Sequence, residues 1–434
     1  MIPSTRLIRL VALLAIPGVL AAVWPRFTTI GLVACGVLAG AAIADCGMLA
    51  LRKRLTVERR LPGRLALGVA REISLTLHNP GRRAINAEFF DGLPESVTSE
   101  HLPWRGTIPP GGMISVFYQA TAMERGPVVF TKCHVRDTSP LGLWQRGYRI
   151  GPEETVKVYP NYEPVVRYTL LAMSNRTSQM GIVSKNVAGQ SREFHQLRDY
   201  QDGDVLSQID WKATSRRHLL ISREYREQRD QTLIFLLDCG RRMRAIDMEL
   251  PQFDHCLNAT LLLSYIALRQ GDQVGVMGFG GVNRWMPPVK GQHSMSAVLN
   301  HLYDYQTSPE PSDFSEAVER LMARQRRRAM VVLLTNLRAE DAGHLVKPLQ
   351  LLRRRQLVVV ANLRERGVVE RMKKPVEQLE DALFFGAGIG YMEERARFLE
   401  TIRDHGILTI DETAAALPAA LANAYLDIKR RGTL

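Results

Sequence analysis

The sequence predicts a three-part architecture: a two-span transmembrane helical hairpin, an all-β sandwich-like domain, and a doubly wound, Rossmann-type α/β domain. Three observations predict it. Two long apolar runs open the chain, short alternating strands cut by turn residues follow, and from residue 233 apolar strand runs alternate with amphipathic helical patterns. The expected boundaries are 1–54 for the hairpin, 55–160 for the β domain, 161–190 for a linker or embellishment and 191–434 for the α/β part. A chain of 434 residues has room for roughly two folded units plus such extras.

Residues 7–24 and 28–51 are almost wholly apolar, and each is long enough to cross a hydrocarbon core about 30 Å thick. Only Pro25, Arg26 and Phe27 separate them, which forces an antiparallel pair with both open ends on one side. Arg6 and Arg9 precede the first run, and Arg52, Lys53, Arg54, Arg59 and Arg60 follow the second, so both ends are expected in the cytoplasm. A cleaved secretory signal is the rival, opposed by the immediate second run and the lack of a small-x-small cleavage site. Asp45 lies near the cytoplasmic end of the second run, where pairing with Arg52 or headgroup water is expected.

Between residues 55 and 160, Ile73, Leu75 and Leu77 alternate with Ser74, Thr76 and His78 ahead of Asn79, Pro80 and Gly81. Several such strands, with turns about every ten to fifteen residues, read as a small antiparallel sandwich. Residues 161–190 show no sustained period. Beyond them the expected order is strand 233–237, helix 253–270, strand 273–279, helix 294–305, a helix capped by Ser312, strands 330–334 and 357–361, a helix closed by Gly406, and strand 407–410. Wholly apolar strands need both sheet faces covered, which is the parallel, doubly wound plan. Its crevice opens at the carboxyl ends of the strands, near Asp238 and Asn336.

The segment 191–223, SREFHQLRDYQDGDVLSQIDWKATSRRHLLISR, is dense in charge yet interleaved with Phe194, Tyr200 and Trp211, so its rings are expected to pack while its charges pair or reach a partner. The order Arg192, Glu193, Phe194, Leu197, Arg198, Tyr200, Gly203, Asp204, then Ile209, Asp210, Trp211, Lys212 and Ala213, resembles the domain-of-unknown-function-58 family of bacterial membrane proteins. The turn 137–144, DTSPLGLW, resembles one the same family carries, although a loop held by Trp144 in a core would look the same. The resemblance implies a protein of the bacterial cytoplasmic (inner) membrane, with a von Willebrand factor A-like domain in the cytoplasm and a MoxR-type AAA+ ATPase as partner. It implies no settled biochemical activity.

In von Willebrand factor A domains the first strand ends in an Asp-x-Ser-x-Ser loop suited to magnesium. Here the loop reads Asp238, Cys239, Gly240, Arg241, Arg242, so Gly240 and Arg242 stand where the two serines belong. Asn336 stands where the pattern often has an aspartate, and Ser294 is the candidate for the hydroxyl usually given by threonine. Asp238, Ser294 and Asn336 therefore form at most a degenerate metal site. Alternatively, Arg242 pairs with Asp238 and fills the ion's place, leaving a metal-free surface for protein contact through Asp238, Gly240, Arg242 and Asn336. A third reading makes Asp238 a plain cap.

Asp199, Asp202, Asp204 and Asp210 lack calcium-loop spacing and are expected to pair with Arg192, Arg198 and Lys212. His195, His218, His255 and His293 lack metal-ligand spacing, and no nucleophile elbow or phosphate loop appears, so no catalytic residue is assigned and an enzyme is not expected. The five cysteines are scattered and point to a reducing compartment. Lys plus Arg number 57 against 44 for Asp plus Glu, a net charge of +13 that suits an anionic partner. The basic clusters directly after the apolar runs favour a phospholipid membrane over nucleic acid, and the arginine clusters at 326–328 and 353–355 read as scattered helix ends.

Overall fold

The computed structural model describes residues 1–434 except 25, 174–181, 183–191, 202–205, 207–208, 228–230, 248–249 and 433–434. The chain forms two compact units, Met1–Tyr159 and Pro160–Leu434.

The first unit opens with helices α1 (Thr5–Val23) and α2 (Arg26–Ala50). Within α2, the 23 residues Thr28–Ala50 are long and apolar enough to cross a membrane. The open ends of both helices meet the same turn. Ser4 donates its N–H to the Leu143 carbonyl at 2.8 Å and its hydroxyl to Gly142 O at 2.5 Å. Asp45, fully buried, accepts from the Ser139 hydroxyl at 2.5 Å and from the N–H groups of Leu141 and Leu143 at 2.9 and 3.1 Å. These partners replace the Arg52 or headgroup pairing expected for Asp45, and Arg52 instead donates to Thr138 O at 3.0 Å. The Trp144 indole N–H reaches Ala42 O at 2.9 Å, and Arg146, paired with Asp137 at 2.6 Å, donates to Leu49 O at 3.0 Å. The turn 137–144 is thus a clasp on the end of α2. Arg146, just beyond the turn, caps the Leu49 carbonyl, one of the last-turn carbonyls that a helix leaves open.

The rest of this unit is β-rich. One sheet pairs Thr56–Arg60, Ala70–His78, Met113–Ala122 and Val97–Glu100, all antiparallel. A second is built on the 13-residue strand Gly126–Thr138. It is mixed rather than antiparallel throughout, because Glu154–Tyr159 runs parallel to Arg64–Ala66. Period-two burial sends Ile73, Leu75 and Leu77 inward from one sheet and Phe89, Phe130 and Val135 from the other. Among them Asp91 accepts from Arg59 at 2.5 Å and from the Tyr118 hydroxyl at 2.6 Å. Burial first, and Asp91 second, push the Cys133 thiol up to about 12, which keeps it protonated and unreactive.

The second unit begins with helix α3 (Glu163–Met173), where the sequence suggested a linker. Val165 and Tyr168 are its buried anchors, and Tyr168 meets Tyr265 edge-on at 6.2 Å. Two buried side chains at i, i+3 fix a short helix without producing a sustained period. Beyond it a two-stranded ribbon pairs Arg192–Asp199 with Ile221–Glu227 around the short helix α4 (Trp211–Arg217).

The central sheet follows. Its strands are β1 (Thr232–Asp238), β2 (Gln273–Phe279), β3 (Trp285–Lys290), β4 (Met330–Thr335), β5 (Leu357–Arg364) and β6 (Leu408–Thr413). Their spatial order is 3-2-1-4-5-6, parallel except for the antiparallel edge strand β3, which the sequence reading did not foresee. Pro287 and Pro288 in β3 sit at a bulge, where the register slips between Val274 and Val276. Six helices surround the sheet: α5 (Gln252–Arg269), α6 (Met295–Leu302), α7 (Phe314–Arg324), α8 (Ala342–Arg353), α10 (Leu379–Asp404) and α11 (Leu417–Arg431), with α9 (Arg366–Met372) leading into α10. One face packs Ile234, Leu236, Val331, Leu333, Val358 and Val360 against Phe314 and Leu321 of α7, Leu349 of α8 and Phe398 of α10. Each such fully buried side chain contributes about 1.5–3 kcal/mol of transfer free energy. The strand order reverses between β1 and β4, and a crevice opens there at the carboxyl ends.

Candidate functional site

β1 is apolar until it meets the end of the sheet, where Asp238 is only 3 % exposed. Its carboxylate is held by the chain itself. One oxygen accepts the Gly240 N–H at 2.8 Å and the Ser312 hydroxyl; the other accepts the Thr335 hydroxyl at 2.6 Å. Burial is the largest influence on Asp238 and raises its pKa, opposed by these three donors.

Ser312 arrives on the segment 306–313, which is strapped across the end of β1 by two backbone bonds. Ser308 N–H donates to Cys239 O at 2.7 Å, and Arg241 N–H to Glu310 O at 2.9 Å. The expected cap of α7 is therefore displaced by one residue: Asp313 caps it, accepting from Ser315 and Glu316 N–H at 2.9 and 3.0 Å. The glycines around Ser312 have a steric reason. A Cβ on Gly240 would lie 2.0 Å from Ser312 Oγ, and one on Gly280, whose φ is +76°, would lie 2.5 Å away. No serine fits at position 240, because the hydroxyl it would bring already comes from Ser312.

Arg242 does not pair with Asp238. It pairs with Asp341 and, at 3.5 Å, with Glu340, while Asp341 also accepts the Arg338 N–H at 2.9 Å. Asn336, beside Thr335, is 1 % exposed; its amide donates to Gln252 Oε1 at 2.7 Å and Glu365 Oε1 at 3.0 Å, and its Oδ1 is buried without a partner. Ser294 lies at the other end of the sheet. Because β3 is antiparallel, Lys290 comes beside Gln273 at the start of β2, and Ser294 donates to Lys290 O at 2.8 Å. The structure thus brings Asp238, Gly240, Arg242 and Asn336 to one crevice and leaves Ser294 out. Ser312, Thr335, Gly280 and Asp341 were missed; Thr335, next to Asn336 at a strand end, carried the one legible signal.

Magnesium demands near-octahedral oxygen coordination. The donors here do not fit it. Asp238 already accepts three hydrogen bonds, Gly240 and Arg242 offer no side-chain oxygen, and Asp341 is engaged by Arg242 and Arg338. Among the described residues no group of three or more His, Cys, Asp or Glu side chains is placed to hold a metal ion.

In the motif, Arg192, Glu193, Phe194, Leu197 and Arg198 lie on the first strand of the ribbon. Tyr200 N–H donates to Leu220 O at 2.8 Å. Asp210 caps α4, accepting from Lys212 and Ala213 N–H at 3.0 Å each. Trp211 is 68 % exposed, contrary to the expectation that the motif's rings pack, since it occupies the first, solvent-facing position after that cap. Gly203 and Asp204 lie outside the described residues.

Similarity to solved structures is slight. A PapD-like domain of human CEP192 is 16 % identical, covering 24 % of this chain and 84 % of that one at a TM-score of 0.19. The cupredoxin domain of amoB from Nitrosocaldus yellowstonii is 14 % identical, covering 25 % and 89 % at 0.19. The uncharacterized protein YeaD of Bacillus subtilis (strain 168) is 24 % identical over 236 residues, 54 % of this chain and 56 % of that protein, so the match spans little more than half of the relative. Residues 196–405, from the ribbon through the crevice to the end of α10, match the family described as "Protein of unknown function DUF58".

Proposed function

We propose that this is a protein of the bacterial cytoplasmic membrane, held by a two-span hairpin, that presents its second unit in the cytoplasm as a protein-interaction module of the von Willebrand factor A type. The observation that carries the reading is the saturated Asp238 carboxylate. Three donors of the chain itself surround it, so the crevice is a fixed surface rather than a site poised for chemistry. Thr28–Ala50 supports the anchor. The partner proposed, from the family resemblance, is a MoxR-type AAA+ ATPase.

The test uses in-cell crosslinking and affinity recovery of the full chain. Ile246, 73 % exposed shortly after Asp238, and Glu340, with a side chain 73 % exposed, are suitable positions because neither is part of the buried lock. Ile246→Asp with Glu340→Arg is expected to lose the ATPase while changing stability by no more than about 0.5 kcal/mol each. Recovery of the ATPase undiminished by both changes removes the crevice as its docking face. A reporter fused after Leu434 is expected on the cytoplasmic side.

A metal-dependent ligand binder is the second reading: the buried, unpartnered Asn336 Oδ1 favours it, against the Asp238 carboxylate that three donors already fill. Saturable magnesium binding by the purified chain, abolished in Asn336→Leu, would put this reading first.

A further inference from the structure

In a parallel α/β sheet every helix that feeds a strand ends at the same edge, the amino-terminal one. Here those helices end in basic residues: α5 in Arg269, α7 in Arg324, α8 in Arg353 and α10 with Arg403 in its last turn; α11, which follows the last strand, ends in Lys429, Arg430 and Arg431. Each cation suits its own helix dipole. The fold then gathers them. The triplets 326–328 and 353–355 precede β4 and β5, which are neighbours with Met330 beside Leu357. Buried Gln356 ties the two turns together, accepting the Ala329 N–H at 2.6 Å and donating to Gln325 O and Arg327 O at 3.2 Å. Arg353 lies over Gly406, two residues before β6, so closely that a Cβ there would come within 2.4 Å of its guanidinium. All six arginines of the two triplets are exposed, and Arg326, Arg327, Arg353, Arg354 and Arg355 have no carboxylate partner among the described residues.

We infer that this edge of the sheet is a docking face for an anionic phospholipid surface. The inference rests on the membrane-anchored reading, since a tethered domain meets its own bilayer at high effective concentration. Rigid guanidinium forks match phosphate oxygens in pairs, and the patch faces outward from turns rather than lining a groove. Sequence-tolerant binding of single-stranded nucleic acid relies on exposed aromatic platforms on which bases stack. Trp285, which Arg324 covers at 5.9 Å, is half-buried and lies beside Met277, toward the carboxyl end of β2.

The test is arginine footprinting with phenylglyoxal, read by mass spectrometry, on the full chain reconstituted in nanodiscs. Discs of phosphatidylcholine alone are compared with discs containing phosphatidylglycerol. Arginines 326–328 and 353–355 are expected to react about fivefold more slowly in the anionic discs, with the difference lost at high salt, while Arg241 and Arg244 at the opposite edge react equally in both. Arg327→Glu with Arg354→Glu, both exposed, is expected to abolish the protection of the remaining four. Equal reactivity in the two discs overturns the inference, and so does protection that survives both charge reversals. Protection of the same residues in neutral discs by inorganic phosphate alone, or by an added oligonucleotide, assigns the patch to that ligand and also overturns it. A chain that fails to enter discs defeats the anchor reading itself, and the docking face with it.

Discussion

Asp238 shows what a single buried carboxylate asks of its neighbours. Asp238→Ala leaves two hydroxyls and an N–H without an acceptor, for an expected loss of about 2–4 kcal/mol in chemical denaturation. Asp238→Asn keeps one carbonyl oxygen for Gly240 and Ser312 and is expected to cost about 1 kcal/mol or less at neutral pH. The pH dependence has a definite sign. Because burial raises the folded pKa above the ordinary 3.8, the stability Asp238 contributes is full below that value and is lost as pH rises through the folded pKa. Asp238→Asn should therefore gain on the wild type as pH climbs from 4 to 7; a constant difference across that range would refute the assignment. Gly240→Ser should destabilise by about 1–3 kcal/mol through its clash with Ser312, and Ser312→Gly should relieve most of that loss in a double-mutant cycle. Asp238 and Asn336 were legible in the sequence because a polar residue ending an apolar strand stands out. Ser312 was not, because a serine before a helix reads first as a cap, and Ser294 misled because the direction of an unforeseen strand decides which end of the sheet it occupies.

At the scale of elements, strands β1, β2, β4 and β5 were readable because each is built on an apolar run, and such runs have few other places to go, whereas β6, which carries Thr409, Asp411, Glu412 and Thr413, was placed by Gly406 closing the helix before it. β3 was not, because Trp285–Lys290 contains two prolines, and prolines ordinarily argue against a strand. Helix α3 was lost for want of a repeating apolar stripe, and the clasp 137–144 because its partners lie about a hundred residues away in α2. That clasp makes its own prediction. Asp45→Ala removes the acceptor of Leu141 and Leu143 N–H, so both amides are expected to exchange with solvent at least about tenfold faster, an opening free energy lower by about 1.4 kcal/mol. Unchanged exchange at both would show that the turn is held by Trp144 and Arg146 instead.

Across the second unit the topology gathers the helix-ending arginines at one edge. The amino-terminal edge of the sheet carries the helix-ending arginines, whereas the carboxyl edge carries Asp238, Glu310, Asp313, Glu340, Asp341, Glu365 and Asp411. No single stretch of sequence announces this arrangement, since its members are tens of residues apart and meet only when the parallel order aligns the helices. The result is an amino-terminal edge rich in exposed arginines and a carboxyl edge where Asp238, Asp341 and Glu365 stand among Arg241, Arg242, Arg244 and Arg338. The sides of the sheet obey a different constraint. An edge strand offers a row of open N–H and C=O groups to any other chain, and β3 is such an edge. Its Pro287 and Pro288 remove two donors and bulge the ribbon beside Gly275, so an incoming strand finds no continuous ladder. Copies that meet at high concentration are thereby kept from pairing edge to edge into ribbons, and Pro287→Thr with Pro288→Val should restore that hazard as concentration-dependent light scattering in an otherwise folded protein.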